Sequence, residues 1–338
     1  MKKAEVILEY QNLIDQPPAS PQQLYSQACS NDDTTVQSWR PTWISQTIEN
    51  KKHFGSFKSH AIGEIFGLYQ HRPVIIVGSG PSLKGNAHKL KDRGSIPVVS
   101  CLHNFHYLED LGVAPEYYVS LDAGPVTIDE VSEGGTKTSE EYWELTKQRT
   151  LLCYIGSHPD LLKKWRGKVL FFNCPMPQAG ADVAKEIDAI EPFHQYVSSG
   201  GNVLGACLYI AKGYLGAHSI IFTGADFCFS YEHKFHAWDS KYDQNIGHCV
   251  PLTDVYGIRR KTWQSYANFK SWFDFISTRV PGEWINASEG GCLGSYPQGN
   301  IASFKYMDLE EVFKMYNMNS HIKCSIENPE KDSKIILF

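Results

Sequence analysis

Short apolar runs alternate with amphipathic stretches along the chain from Pro73 onward. The runs are rich in β-branched residues, which is typical of strands buried on both faces of a parallel sheet. Helical stretches separate most of them, so the pattern predicts an α/β fold with a mostly parallel sheet and helices on both faces. The predicted strands are Val74–Val77, Ile96–Cys101, Glu116–Leu121, Leu151–Ile155, Val169–Phe172 and Ser219–Thr223.

The residues before Pro73 carry apolar side chains at mixed helical spacing, which predicts a helical N-terminal extension over residues 1–72. Prolines are expected to break this extension, early at Pro17, Pro18 and Pro21 and again at Pro41. The aromatic side chains of the extension are expected to pack on the main domain. They are Trp39, Trp43, Phe54, Phe57 and Phe66.

Three polar segments interrupt the alternation, at Thr127–Arg149, Asn173–His194 and Phe227–Lys261. The first predicts an excursion that contains a helix, and the other two predict long loops. Long loops in compact domains are often functional. Thr262–Arg279 then predicts a helix with an aromatic face, and the tail after Asn319 carries only weak signals.

The first predicted strand runs directly into a turn with the sequence Gly78-Ser79-Gly80-Pro81-Ser82. Glycines let the backbone approach a ligand closely, and the N–H groups of a helix that starts here would suit a phosphate. The alternative is an ordinary strand-to-helix turn. The turn is not a Walker loop, because Lys84 follows Ser82-Leu83, and Leu83 also occupies the third glycine position of a dinucleotide fingerprint.

Polar residues follow three more of the predicted strands. His103 and Asn104 come after the second strand, Asp122 after the third, and Asp226 closes the strand Ser219–Thr223. Because the carboxyl ends of parallel strands share one edge of a sheet, these residues are expected to lie along that edge. The two carboxylates could bind a divalent ion, orient a ribose or position an acceptor hydroxyl. Each could instead cap its own turn.

Two further loops carry candidate chemistry. His233, His236 and His248 lie in the long loop after Asp226, where a histidine can act as a general base or can simply be solvated. The second loop, Asn286–Cys292, combines polar residues with paired glycines. Such a loop suits a backbone that wraps a base or sugar, although it could equally be a surface turn.

Composition narrows the range of partners. The 338-residue chain has a formal net charge of -5, so no general attraction to nucleic acid or anionic lipid is expected. No apolar run approaches the length of a membrane span, and the N-terminus does not resemble a signal peptide. Its nine cysteines are scattered and form no C-x-x-C pair. We therefore expect a reduced, cytoplasmic protein.

The order of these motifs resembles that of a known family, which contains archaeal 6-hydroxymethyl-dihydropterin pyrophosphokinase-like (MptE-like) proteins and the flagellin motility accessory factors (Maf-like). The matching stretches are VIIVGSGPSL, the strand ending in SLDAGP, SSGGNVLGACLYIAKGYLGAHSIIFTGADFCFS with a following HKFHA, and INASEGGCLG. The resemblance covers roughly Pro73–Gly294. The chain departs from the family pattern at Asp122, which is followed by Ala-Gly-Pro here and directly by proline in the family.

The resemblance implies a Rossmann-like domain similar to that of bacterial sialyltransferases, which use a CMP-sugar. It divides the chain into a helical N-terminal extension (1–72), a nucleotide-binding catalytic domain (73–294), and a C-terminal helix and tail (295–338). The favoured activity is transfer of a nonulosonic, sialic-acid-like sugar from a nucleotide-sugar to a hydroxyl of a glycan, protein or small molecule.

For this activity, Asp226 or His236 would take the acceptor proton, and Asp122 is the third candidate catalytic residue. No metal ligand is assigned, because sialyltransferase-like folds can work without a bound metal. The candidate donor-binding residues are Gly78, Ser79, Gly80, Pro81, Ser82, Asn104, Asp122, Asn202, Asn286, Glu289, Gly290 and Gly291.

Two alternatives stay open. In a pyrophosphokinase acting on 6-hydroxymethyl-dihydropterin, Asp122 and Asp226 would coordinate Mg²⁺ on ATP. Few cations lie near the motifs to bind the phosphates of ATP. The main candidates are Lys84 and the run Arg259–Lys261. In a nucleotide-binding module without catalysis, both aspartates could be replaced by alanine without loss of biological activity.

Overall fold

The apolar runs form strands, and all six predicted strands lie within two residues of their expected bounds. A computed structural model describes residues 21–175, 183–238, 249–296, 299–300 and 303–319. The strands in chain order are β1 (Pro73–Val77), β2 (Val98–Cys101), β3 (Tyr117–Ser120), β4 (Thr150–Tyr154), β5 (Lys168–Phe172), β6 (Ser219–Thr223), β7 (Cys249–Thr253), β8 (Arg259–Trp263), β9 (Glu283–Asn286), β10 (Ser295–Tyr296), β11 (Gly299–Asn300) and β12 (Phe304–Tyr306).

Eight of these strands form one sheet in the order β12-β9-β6-β1-β2-β3-β4-β5. Each pairing within it is parallel. The antiparallel pairs β7–β8 and β10–β11 lie outside this sheet. The α/β, Rossmann-like fold predicted from the sequence is therefore confirmed.

Helices cover both faces of the sheet. Along β1, Val74 and Ile76 face one apolar cluster, whereas Ile75 and Val77 face the other. This alternation explains why β1 is apolar throughout. The helices are α1 (Pro21–Phe54), α2 (Leu83–Asn86), α3 (Phe105–Asp110), α4 (Val126–Ser132), α5 (Ser139–Leu145), α6 (Pro159–Lys164), α7 (Val183–Ile190), α8 (Val203–Tyr209), α9 (Gln264–Ser277) and α10 (Leu309–Asn319).

The N-terminal helix α1 continues through Pro41, so the predicted interruption is wrong. Val36, Trp43 and Asn50 are buried along one side of α1, and Pro41 is exposed. The carbonyl that loses a partner at a proline can then bind water, which makes the residue tolerable within a helix. Pro21 begins the helix, and Pro17 and Pro18 lie outside the described residues.

Aromatic side chains of the extension are buried only in part. Trp43 and Phe57 belong to the core, and Phe54 packs against it. Trp39 and Phe66 are 37% and 64% exposed, so for Phe66 the predicted packing is wrong. The division of the chain at residues 73 and 295 stays a prediction. Helix α1 packs against α7 and α9, and β12 extends the central sheet on β9.

The three interrupting segments contain regular structure. Residues 127–149 include parts of α4 and all of α5, and the long loop predicted at Asn173–His194 contains α7. The long loop after Asp226 includes β7 and leads into β8, which form a hairpin. His248 and the tail after residue 319 lie outside the described residues. Within the described parts of the chain, we find no helix with the length and apolarity needed to cross a membrane.

Candidate functional site

The direction in which the chain adds strands reverses at β1. From β1 the chain adds β2 to β5 on one side, and it then returns to place β6 on the other side. In open α/β sheets, ligands bind at such a switch point, in the crevice outside the carboxyl ends of the strands. Gly78–Ser82 follows β1 and Gly224–Asp226 follows β6, so both segments lie at this crevice.

The carboxylate of Asp226 binds Ser82 across the crevice. Ser82 donates its backbone N–H to Oδ2 at 2.6 Å and its hydroxyl to Oδ1 at 2.5 Å. A Cβ atom at Gly80 would lie 2.6 Å from Oδ2 of Asp226 and 2.7 Å from the carbonyl oxygen of Gly224. Because real Cβ atoms do not approach so closely, glycine at position 80 permits this pairing.

The backbone of the turn is largely bound within the protein. The N–H of Gly78 donates to the Thr223 carbonyl, and the N–H of Gly80 donates to the Gly224 carbonyl. Helix α2 is a single turn, and the Ser82 side chain does not cap it. A phosphate at the Ser82 N–H would therefore have to compete with the carboxylate of Asp226. The sequence pattern did not predict this competition.

Burial of Asp226 changes its acidity. The residue is 4% exposed, and this burial raises its pKa to about 6. The hydrogen bonds from Ser82 and the charge of Arg260 oppose the rise. Arg260 is itself held by Asp254 at 2.7 Å and lies 3.6 Å above the ring of Tyr231. A buried carboxylate that changes charge near neutral pH is typical of a functional site.

The loop after β9 lies against the other side of Asp226. The N–H of Cys292 donates to the backbone oxygen of Asp226 at 2.7 Å. At Gly291, where φ is +77°, a Cβ atom would lie 2.5 Å from the Cα of Asp226. A Cβ atom at Gly290 would be 3.9 Å from the Cβ of Ser82. Gly291 thus lets this loop approach Asp226 closely, and Gly290 lies within van der Waals contact of the turn after β1.

The polar residues of the same loop give it its shape. Asn286 is buried, donates from Nδ2 to the Leu293 carbonyl at 3.0 Å, and accepts the Ser288 N–H at 2.9 Å. Glu289 accepts from Lys89 at 2.9 Å. These contacts explain why the loop is ordered around Asn286 and Glu289. Binding of a nucleotide by either side chain stays a prediction.

Two asparagines fix the backbone around the crevice. Asn104 is fully buried and donates from Nδ2 to the carbonyls of Val77 and Gly78, at 3.1 and 3.2 Å. Its Oδ1 atom is buried and accepts no hydrogen bond from the described parts of the chain. Asn202 caps helix α8, because its side chain accepts the N–H of Gly205 at 3.0 Å. Both residues therefore have a structural role, whatever they bind.

Asp122 lies along the same edge but away from Asp226. Strands β3 and β6 are separated by β2 and β1, which places them about 14 Å apart at about 4.8 Å per strand. Asp122 is exposed, and its Oδ1 accepts the Gly124 N–H at 2.7 Å, so it shapes its own turn. This separation does not favour one metal ion held by both Asp122 and Asp226.

His236 lies beside the turn after β1. The N–H of Ala237 donates to the Ser79 carbonyl at 3.1 Å, which joins the two segments. The centre of the His236 ring is 4.7 Å from that of His103, and the Trp238 ring is 5.1 Å from His103. The structure thus places the predicted His236 in a cluster of rings at the ends of β1 and β2.

The sequence model of the family described as 6-hydroxymethylpterin diphosphokinase MptE-like matches residues 45–232, which is more than half of the chain. The chain belongs to the MptE-like family. The match begins within α1 and ends after Asp226, so the region shared with the family includes the Asp226–Ser82 pair. It does not reach His236 or the Asn286–Gly291 loop of this MptE-like chain.

Among solved structures, the chain is similar to the Maf glycosyltransferase from Magnetospirillum magneticum AMB-1. The two share 16% sequence identity with a TM-score of 0.51, which shows a common fold. The similarity covers 78% of this chain and 40% of that one, so the MptE-like chain spans less than half of the neighbour's length. A comparison with curated proteins found no match.

Some residues of the site were not predicted from the sequence of this MptE-like chain. Lys89, which pairs with Glu289, and Glu130, which binds His103, come from segments without a recognisable motif. Arg260 belongs to the basic run noted above, and folding of the β7–β8 hairpin brings it near Asp226. Across the described side chains, no group of three His, Cys, Asp or Glu residues is placed to hold a metal ion.

Proposed function

We propose that this MptE-like protein is a glycosyltransferase that moves a sialic-acid-like sugar from a nucleotide-sugar to an acceptor hydroxyl. The family description names a diphosphokinase and the structural neighbour is named a glycosyltransferase, so both support a transferase-like role at a coarse level. The observation that carries the proposal is the buried Asp226–Ser82 pair at the switch point between β1 and β6.

The donor nucleotide would bind across this crevice. Gly78–Ser82 and Gly290–Gly291 meet there with little side-chain bulk, so the backbone of both loops can approach a ligand. Asp226 would hold Ser82, and with it the shape of the turn after β1. Asn104 would hold the start of the same turn in place through its hydrogen bonds to the carbonyls of Val77 and Gly78.

A pyrophosphokinase is the second candidate, because the family description itself names one. It would need Mg²⁺ and cations that neutralise the phosphates of ATP. The charge of Arg260, which acts on Asp226, is paired with Asp254, and that of Lys89 is paired with Glu289 in the loop after β9. The separation of the strands before Asp122 and Asp226 also disfavours one Mg²⁺ ion bound by both carboxylates. We therefore place this activity second.

The nucleotide preference distinguishes the two candidates. We expect CMP and a CMP-sugar to raise the thermal midpoint of the protein, and ATP with Mg²⁺ to leave it unchanged. A ligand present at a hundred times its dissociation constant adds about 2.7 kcal/mol to the free energy of unfolding. The measurement is a thermal-shift series with CMP, CMP-sugar, UDP-sugar, GDP-sugar and ATP, each with and without Mg²⁺.

Each outcome of this series has a separate meaning. Stabilisation by Mg²⁺-ATP alone would contradict the glycosyltransferase and favour the pyrophosphokinase. Stabilisation by UDP-sugar or GDP-sugar instead of CMP would keep the sugar transfer and change the donor. If CMP binds, an Asp226→Ala, Asp122→Ala double variant keeps full biological activity and the wild-type protein releases no CMP from a CMP-sugar, the protein is a nucleotide-binding module without catalysis.

A further inference from the structure

A histidine and a carboxylate form a pair at the end of β2. His103 lies in the turn Leu102–Asn104 directly after β2, and Glu130 lies on helix α4. The Nδ1 atom of His103 is 3.0 Å from Oε1 of Glu130. Their side chains are 22% and 16% exposed, so water screens the pair only in part.

The carboxylate determines which nitrogen of the His103 ring carries the proton. An ionised carboxylate only accepts hydrogen bonds, so Nδ1 must be the donor in this pair. In the neutral ring, Nε2 then carries the lone pair and can accept a proton. This Nε2 atom is buried and has no hydrogen-bond partner among the residues that the structure describes.

The position of His103 places its ring beside the crevice. Strands β1 and β2 are neighbours in the sheet, so His103 follows a strand that lies about 4.8 Å from the one before Gly78–Ser82. The rings of His236 and Trp238 lie next to it. The Ala237–Ser79 hydrogen bond connects these rings to the turn after β1.

Asp226 is less suited to take a proton from the acceptor. Both of its oxygens already accept hydrogen bonds from Ser82. His103 combines a carboxylate that orients the ring with a nitrogen to which no described residue is hydrogen-bonded. This is the arrangement by which a general base is oriented by a third group.

We propose that His103 is the general base of the sugar transfer and that Glu130 is its positioning residue, an inference that rests on the function proposed above. The acceptor oxygen forms a bond to the anomeric carbon and gives its proton to Nε2 of His103. The bond from that carbon to the phosphate oxygen breaks, and its electron pair leaves with the nucleoside monophosphate.

The test is the release of CMP from CMP-N-acetylneuraminate, with water as the acceptor, by wild type and three variants. We expect His103→Gln to lower kcat by at least about a hundredfold, with KM and the CMP-induced thermal shift unchanged. Glu130→Gln should lower kcat about tenfold, again at unchanged KM. The matched control is His106→Gln, because His106 lies one helical turn away and contacts the backbone oxygen of Glu130.

A fourth variant separates loss of the base from loss of folding. His103→Gly should be slow, and added imidazole should restore at least about a tenth of the wild-type rate, which a structural role would not allow. If His103→Gln releases CMP as fast as wild type, the base assignment is wrong while the transferase stands. If wild type binds CMP in the thermal-shift series but releases no CMP from the donor, both the general base and the transferase function are contradicted.

Discussion

The Asp226→Asn variant should be more stable than the wild-type protein at pH 7.5, by up to about 3 kcal/mol. Burial raises the pKa of Asp226 from 3.8 to about 6, and each pKa unit corresponds to about 1.4 kcal/mol. Between these two values the folded protein keeps a proton that the unfolded chain releases. The free energy of unfolding therefore falls as the pH rises from about 4 to 6, and it stays lower above that range.

Asparagine removes this dependence and keeps the shape of the site. Its amide oxygen can accept the Ser82 N–H, and its NH₂ group can donate to the Ser82 hydroxyl, which can rotate. Urea unfolding of both proteins from pH 4 to 8 should give curves that meet near pH 4 and separate by pH 7. Asp92→Asn is the control, because Asp92 is exposed and its charge is solvated. Parallel curves for wild type and Asp226→Asn would contradict the raised pKa.

Gly80→Ala should weaken CMP binding at least tenfold, which corresponds to about 1.4 kcal/mol. The new methyl group would lie 2.6 Å from Oδ2 of Asp226 and 2.7 Å from the carbonyl oxygen of Gly224. Either the turn or the carboxylate must move, and we expect either shift to weaken or break the Ser82–Asp226 hydrogen bonds. We also expect a cost of about 1–3 kcal/mol in the free energy of unfolding. Isothermal titration with CMP measures the affinity.

Gly85→Ala is the matched control for this substitution. Gly85 lies on α2, five residues further along, and a Cβ atom there would have no heavy atom within 4 Å. Alanine is favoured over glycine within a helix, so this variant should fold at least as well as wild type and bind CMP normally. If Gly80→Ala and Gly85→Ala bind CMP with the same affinity, the turn after β1 is not part of the nucleotide site.

The sequence predicts the strands well because burial on both faces leaves a strong signal. Runs such as Val74–Val77 have no polar position, and a parallel strand between two layers of helices needs none. The rule that ligands bind at the carboxyl ends of strands then predicted that Gly78–Ser82 and Asp226 lie at one edge, and the structure adds the loop Asn286–Gly291 to that edge. The structure confirms this shared edge and the contacts among the three segments.

The order of strands within the sheet was not predictable from the same runs. Asp122 and Asp226 each follow a buried strand, and nothing in the local sequence says that two other strands lie between them. Strand β12 is only three residues long, so it carries too few positions for a pattern. Both facts depend on how the connections cross the sheet, which is a property of the whole fold.

Hydrogen bonds between residues far apart in the sequence could not be predicted either. The turn at Ser82 has the glycines and the proline typical of a phosphate loop, and its N–H is bound by a carboxylate 144 residues away. His103 and Glu130 likewise come from separate elements. A local sequence pattern predicts the conformation of a segment. The residue that the segment contacts in the folded protein depends on tertiary packing.

A crystal structure of the protein with CMP tests the central claim, which is that the donor nucleotide binds at the switch point between β1 and β6. We expect CMP in the crevice, in contact with the turn Gly78–Ser82 and with the loop Asn286–Gly291. A CMP molecule bound elsewhere, for example at the ends of β3 and β4 beside Asp122, with the crevice unchanged, would contradict the claim.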